Sequence, residues 1–237
     1  MYLKIKNLQY QYSKENDFRL NISETEFDFT QHLGIYGLSG SGKSTLGKLL
    51  AGLLENDGIE FSGANVLYSA QMSENIFLGS SIQQTIKIIS ENNPNLKNLE
   101  DELTRYLQKF DLDFGSISAK QGFELSAGEL RKFSVSLALA YKPDILVLDE
   151  PSIGLDWNSR VELIKVIKEY QGKIILISHD YEMLKKLCSL LWVIDNGQLV
   201  FQGNFHQLEK NSKLCGEIGI NIYKKMIEKR KEILNKR

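Results

Sequence analysis

Leu33-Gly34-Ile35-Tyr36-Gly37-Leu38-Ser39-Gly40-Ser41-Gly42-Lys43-Ser44-Thr45 is an apolar run that ends in a glycine-rich turn. From Lys43 to Leu54 the apolar residues then recur at helical spacing, so the segment reads as strand, loop, helix. Residues 37–45 satisfy G-x-x-x-x-G-K-[ST] in the context that the pattern's mechanism requires, after a strand and before a helix. Gly37, Gly40 and Gly42 let the backbone curl around Ser39 and Ser41 and point its N–H groups inward, and the helix N-terminus adds partial positive charge. Such a loop cradles phosphates. Lys43 is expected to reach the β- and γ-phosphates of a nucleotide, Ser44 to place its hydroxyl on Mg²⁺, and Thr45 to contact the α-phosphate.

About a hundred residues on, Ile145-Leu146-Val147-Leu148-Asp149-Glu150 is an apolar strand that ends in two carboxylates. Asp149 is placed to hold Mg²⁺ through water, and Glu150 to accept a proton from an attacking water. Strands often end in solvated acids, and only the phosphate loop upstream gives this pair its meaning. Further strand-like runs at Ile174 to Ser178, Leu191 to Ile194 and Leu199 to Phe201, with a helical segment from Asn158 to Tyr170, predict a largely parallel sheet covered by helices. The N-terminal runs Tyr2 to Leu8, Phe18 to Ile22 and Glu26 to Phe29 predict an antiparallel sheet. Ile59 to Phe61 and Val66 to Ser69 add two short strands. The stretch from about Ser81 to Ala140 is mostly helical in pattern, broken near Asn92-Asn93-Pro94, and reads as a helical insertion.

The length of 237 residues suits one large domain with an inserted subdomain. With 29 Lys+Arg against 30 Asp+Glu, no overall field draws in nucleic acid, and none is expected as a partner. Cys188 and Cys215 have no metal-ligand spacing and are too few for a disulfide framework, which fits packing thiols in a reducing compartment. The first residues lack the apolar stretch of a signal peptide, and no segment approaches a bilayer span of roughly 18 to 20 apolar residues. The chain is expected to be soluble and to serve any membrane through a partner. From Asn221 to Arg237, seven Lys/Arg stand against two Glu beside apolar residues at roughly helical spacing. This tail reads as an amphipathic helix packed on its own domain, with anionic lipid or a second subunit as alternatives.

Together these motifs resemble the ATP-binding cassette (ABC) ATPases across nearly the whole chain. Leu125-Ser126-Ala127-Gly128-Glu129 is similar to the family signature LSGGQ, departing at Ala127 and Glu129 while keeping Ser126 and Gly128. Ile153-Gly154-Leu155-Asp156 resembles the D-loop and Ser178-His179-Asp180 the switch-histidine segment. The resemblance implies that His179 contacts the γ-phosphate and the attacking water, and that Gln71 touches Mg²⁺ and reports the nucleotide state. It also implies that Ser126 and Gly128 serve the ATP held by an opposing subunit. Tyr12 occupies the place of the aromatic that stacks on adenine; Tyr10, on the same face of a continuous strand, competes with it.

The resemblance implies an α/β fold: a P-loop NTPase core of mostly parallel sheet, with an N-terminal antiparallel β-subdomain and an inserted α-helical subdomain. Residues 1–75 and 141–208 would form the nucleotide-binding core, 76–140 the helical subdomain and 209–237 the basic tail of a single domain, 1–237. ATP and Mg²⁺ are the implied cofactors. The implied partners are a second ABC ATPase subunit, identical or not, and a transmembrane transporter subunit that holds the chain at the cytoplasmic face of the cell membrane. The segment following Gln71, and Gly203-Asn204-Phe205-His206-Gln207-Leu208, are similar to the ATPases of cobalt and energy-coupling-factor importers. An exporter ATPase, or a soluble ABC ATPase acting on nucleic acid or the ribosome, is the alternative. Residues 71–86 would wall a groove for the transmembrane subunit, with Phe77 as its aromatic anchor.

Overall fold

Strand alternation sorts the interior into two layers on either side of one sheet. Ile145 and Val147 of β8 (Ile145–Asp149) and Ile175 and Ile177 of β9 (Lys173–Ser178) point into one buried cluster. Leu146, Leu148, Ile174 and Leu176 point into the other. Strands buried on both faces in this way are unbroken apolar runs, which is why the sequence shows them as such. A computed structural model describes residues 1–13, 17–61, 63–70 and 76–221. Gln71 and the basic tail from Ile222 lie outside the described residues.

The larger sheet has eight strands in the order β2 (Leu8–Tyr10), β3 (Leu20–Ile22), β11 (Gln198–Asn204), β10 (Leu190–Asp195), β5 (Leu33–Tyr36), β9, β8, β7 (Val66–Ser69). From β10 through β5, β9 and β8 to β7 the neighbours are parallel; on the other side β10 pairs antiparallel with β11, β11 parallel with β3, and β3 antiparallel with β2. Helix α1 (Lys43–Leu50) covers one face through Leu46, Leu49 and Leu50. On that side lies a three-stranded antiparallel sheet, β4 (Thr25–Asp28), β1 (Tyr2–Ile5), β6 (Ile59–Phe61). The opposite face carries α6 (Trp157–Glu169), α7 (Tyr181–Leu187) and the short α8 (Phe205–Lys210) and α9 (Ser212–Glu217). The helical insertion comprises α2 (Ile82–Asn92), α3 (Leu99–Gln108), α4 (Phe114–Ile117) and α5 (Ala127–Ala140). This is the expected P-loop architecture.

Three local expectations are corrected. The run from Tyr2 to Leu8 is two strands, because Asn7 turns to φ 48° and sends β1 into the small sheet and β2 into the large one. β2 ends at Tyr10, so Tyr10 and Tyr12 do not share a continuous strand. Helix α1 stops at Leu50 rather than Leu54: Gly52 sits at φ 68°, Gly52 N–H bonds to Leu49 O and Leu53 N–H to Lys48 O. That is a Schellman stop, and it overrides the apolar spacing of Leu53 and Leu54.

Candidate active site

The C-terminal ends of β5, β8 and β9 lie side by side, with Tyr36 opposite Ser178 and Asp149 opposite Ile177. The segments that continue from them meet at a cavity of about 510 Å³ lined by Ser39, Gly40, Gly42, Lys43, Ser44, Thr45, Glu150 and His179, with Tyr12, Phe18, Leu38 and Ile153. Binding crevices form at this end of parallel strands because the loops there diverge. Gly37 and Ser41 stand behind the lining. Ser41 O accepts from Gly197 N–H, which ties the loop to the turn after β10.

Gly42 caps α1 at φ 105°, where the Phe18 ring would lie 2.6 Å from a Cβ. No other residue fits that backbone and that space. Lys43 is only 6 % exposed, and its Nζ donates to Leu38 O at 2.9 Å within its own loop. Burial lowers its pKa, opposed by the nearby Glu150 and Asp149. An anion in the cavity would give this ammonium a charged hydrogen-bond partner in place of the neutral carbonyl. Tyr12 reaches the same wall: its hydroxyl is 3.3 Å from Thr45 Oγ1, and its ring meets that of Tyr10 edge-on at 5.1 Å. Tyr10 does not line the cavity.

Asp149 is 1 % exposed. Tyr68 of β7 donates to its Oδ2 at 2.6 Å, while its Oδ1 is buried without a hydrogen-bond partner among the described residues. Burial raises the Asp149 pKa, offset by the Tyr68 phenol and the Ser44 hydroxyl. An orphaned carboxylate oxygen beside a serine hydroxyl suits a hard cation that keeps most of its oxygen ligands from water and phosphate. Among the described residues no group of three or more His, Cys, Asp or Glu could hold a metal alone.

Glu150 is buried at φ 48°, a strained setting for a residue with a Cβ. Three groups hold its carboxylate: the Ser178 hydroxyl donates at 3.1 Å, His179 N–H donates at 2.9 Å, and His179 Nδ1 lies 2.8 Å away. The hydrogen bond to Glu150 raises the His179 pKa, against partial desolvation.

Ser126 and Gly128 are not brought to this cavity. Ser126 caps α5: its Oγ accepts from Glu129 N–H at 3.2 Å, and Glu129 Oε2 accepts from Ser126 N–H at 2.8 Å. Glutamate at the third helical position closes this capping box as glutamine would, which gives Glu129 a structural reason to stand in the signature. A Cβ on Gly128 would lie 3.8 Å from Gly154 O, so signature and D-loop touch within the chain. Phe77, expected as the anchor of that groove, is half-buried: it stacks on Phe133 at 5.6 Å and lies against Gly122. Among the described residues in that part of the chain, the exposed large apolar side chains are Leu78 and, 82 % exposed, Phe123. Phe18, Tyr68 and Arg131 escaped the motif reading. Arg131 is buried on α5 and donates to Ala70 O at 3.1 Å, beside the Gln71 position. No spacing rule marks any of the three.

The sequence profile of the ABC transporter family matches residues 20–153, more than half of the chain. The chain belongs to the ABC transporter ATPases. The chain is 29 % identical over 247 residues to the energy-coupling factor transporter ATP-binding protein EcfA2 of Clostridium perfringens, covering 94 % of this chain and 86 % of that protein. It is also 28 % identical to the leukotoxin translocation ATP-binding protein LktB of Mannheimia haemolytica, over 89 % of this chain but 32 % of that longer protein. The structure of CbiO1 from Clostridium perfringens, described as part of the ABC transporter complex CbiONQ, superposes with a TM-score of 0.70 at 22 % identity, over 94 % of this chain and 96 % of that one. This ABC ATPase hydrolyses ATP, and no helix among its described residues is long and apolar enough to cross a membrane.

Proposed function

We propose that this cassette powers import through a separate membrane protein of the energy-coupling-factor or cobalt type, hydrolysing ATP at a site that two cassettes complete together. The observation that carries the catalytic part is the position of Glu150, a buried carboxylate at the wall of a glycine-lined cavity that also holds Lys43. In this reading the Tyr12 ring stacks on the adenine. Backbone N–H groups from Gly37 to Thr45 and the α1 N-terminus hold the phosphates, and Lys43 leaves Leu38 O for the β- and γ-oxygens. Ser44 and Asp149 would hold Mg²⁺, with Gln71 as the further contact that the family resemblance implies. When bound, the cation neutralises charge on the β- and γ-oxygens. Glu150 takes a proton from the attacking water, while His179 orients that water and the γ-phosphate.

Ser126 and Gly128 point to a second cassette, because they lie off the cavity of their own chain. ATP would then join two cassettes and hydrolysis would release them, a cycle that a transmembrane partner converts into alternating exposure. The importer assignment leans on the likeness to the EcfA2 protein along nearly the full length of both chains. The likeness to LktB keeps an exporter as the second reading. Purifying the tagged chain from membranes and identifying what comes with it tests the assignment. Co-purification with a membrane protein and a second cassette is expected, and recovery with neither overturns it.

A further inference from the structure

Tyr68 belongs to none of the motifs, yet its phenol makes the 2.6 Å bond to Asp149. It faces the same side of the sheet as Val147 and α1, packed against the cluster that holds Leu46 and Leu49. Its ring passes under α1 where the helix has Gly47: a Cβ there would lie 3.0 Å from Tyr68 Cε2 and 2.6 Å from Ile177 Cδ1. Glycine is a poorer helix former than alanine, and at this position it leaves room for the ring whose phenol bonds the carboxylate. With Oδ2 occupied by Tyr68, Oδ1 is left without a hydrogen-bond partner among the described residues, beside Ser44.

We propose that Tyr68 is a positioning residue for the divalent-cation site, its phenol fixing the Asp149 carboxylate so that Oδ1 stays available to the cation, with Gly47 making room for the ring. The inference rests on Asp149 and Ser44 holding the cation. Partners that orient a metal-holding group govern metal affinity, with losses of roughly 10- to 100-fold when they are removed. Tyr68 also sits three residues before Gln71, so one short segment would carry both a cation contact and the group that orients another.

The test uses the full chain in excess over ADP, so that little nucleotide is left free to chelate metal, with Mn²⁺ as the probe and bound metal read from the loss of the free-Mn²⁺ EPR signal. Tyr68→Phe keeps the ring and removes only the hydroxyl. It should weaken Mn²⁺ binding about tenfold while leaving ADP affinity in EDTA at the wild-type value. Asp149→Asn should weaken Mn²⁺ by itself, and adding Tyr68→Phe to it should cost nothing more. Unchanged Mn²⁺ affinity in Tyr68→Phe, or an equal fall in metal-free ADP affinity, overturns the positioning role. Wild-type Mn²⁺ affinity in Asp149→Asn instead overturns the cation site on which the role rests. Gly47→Ala reaches the same bond by crowding the ring and should lower Mn²⁺ affinity by more than it lowers metal-free ADP affinity. If it lowers both alike, the ring path carries no metal function.

Discussion

The wall of the cavity and the start of α5 both carry polar motifs, but they hold them in opposite ways. At the cavity two buried acids are held under constraint: Asp149 Oδ1 has no hydrogen-bond partner among the described residues, and Glu150, its carboxylate bonded, sits at a positive φ. At Ser126 each end of the capping box is answered by the other within four residues. One region stores unspent bonding capacity that a ligand can claim, while the other is complete as it stands and adds stability to the free chain. The difference separates a site with bonding capacity left for a ligand from a helix start that is satisfied within its own chain.

The sharpest way to break this comparison is Glu150→Gln. In the assembled complex, steady-state ATP hydrolysis should fall at least about 100-fold, the scale of a lost general base, with nucleotide binding retained. Turnover near wild type would remove Glu150 from the chemistry. Lys43→Ala should weaken ATP binding by about 10- to 100-fold, since a charged contact is worth roughly 1.5–3 kcal/mol, and calorimetry on the purified chain would read it. At the satisfied region the consequence is different. Ser126→Ala should cost about 1 kcal/mol of unfolding free energy and leave nucleotide affinity of the isolated chain unchanged, while Glu129→Gln, which keeps the box, should scarcely move the denaturation midpoint.

The smallest effect is a pH dependence. The His179 pKa is raised in the folded chain, mainly by its hydrogen bond to Glu150. Its stabilisation is therefore fully present below the ordinary imidazole value of about 6.5 and fades as pH rises through the raised value. Without nucleotide or metal, the melting-temperature gap between wild type and His179→Gln should be widest near pH 5.5 and close toward alkaline pH. A gap that widens with pH would mean that the imidazole is held neutral.

The sequence exposed the parts of this site that are contiguous. Gly37 to Thr45 carries its strand, turn and helix start within one stretch, and Asp149-Glu150 ends an apolar run too long to hide. What it concealed depends on partners far away in the chain. Tyr68 is an ordinary strand tyrosine until Asp149, 81 residues on, is placed beside it. Phe77 resembles a surface anchor until Phe133 is found beneath it, because a sequence shows that an aromatic must be covered but not by what. Asn7 is a residue type that tolerates a positive φ, but the apolar residues on both sides of it, Leu3, Ile5 and Leu8, read as one continuous strand. Gly52 carries the stop, a glycine just past the last turn, against the apolar spacing of Leu53 and Leu54.

The pairing of Tyr36 with Ser178, and the Tyr36 hydroxyl's bond to Ile218 O, carry a consequence for how the protein is made. The phosphate loop leaves the ribosome early, yet the strand that seats it needs a neighbour translated 142 positions later. At roughly 5–20 residues per second, the loop waits for at least several seconds as an incomplete fragment. Nucleotide bound at the assembled cavity therefore stabilises chains whose synthesis has passed β9.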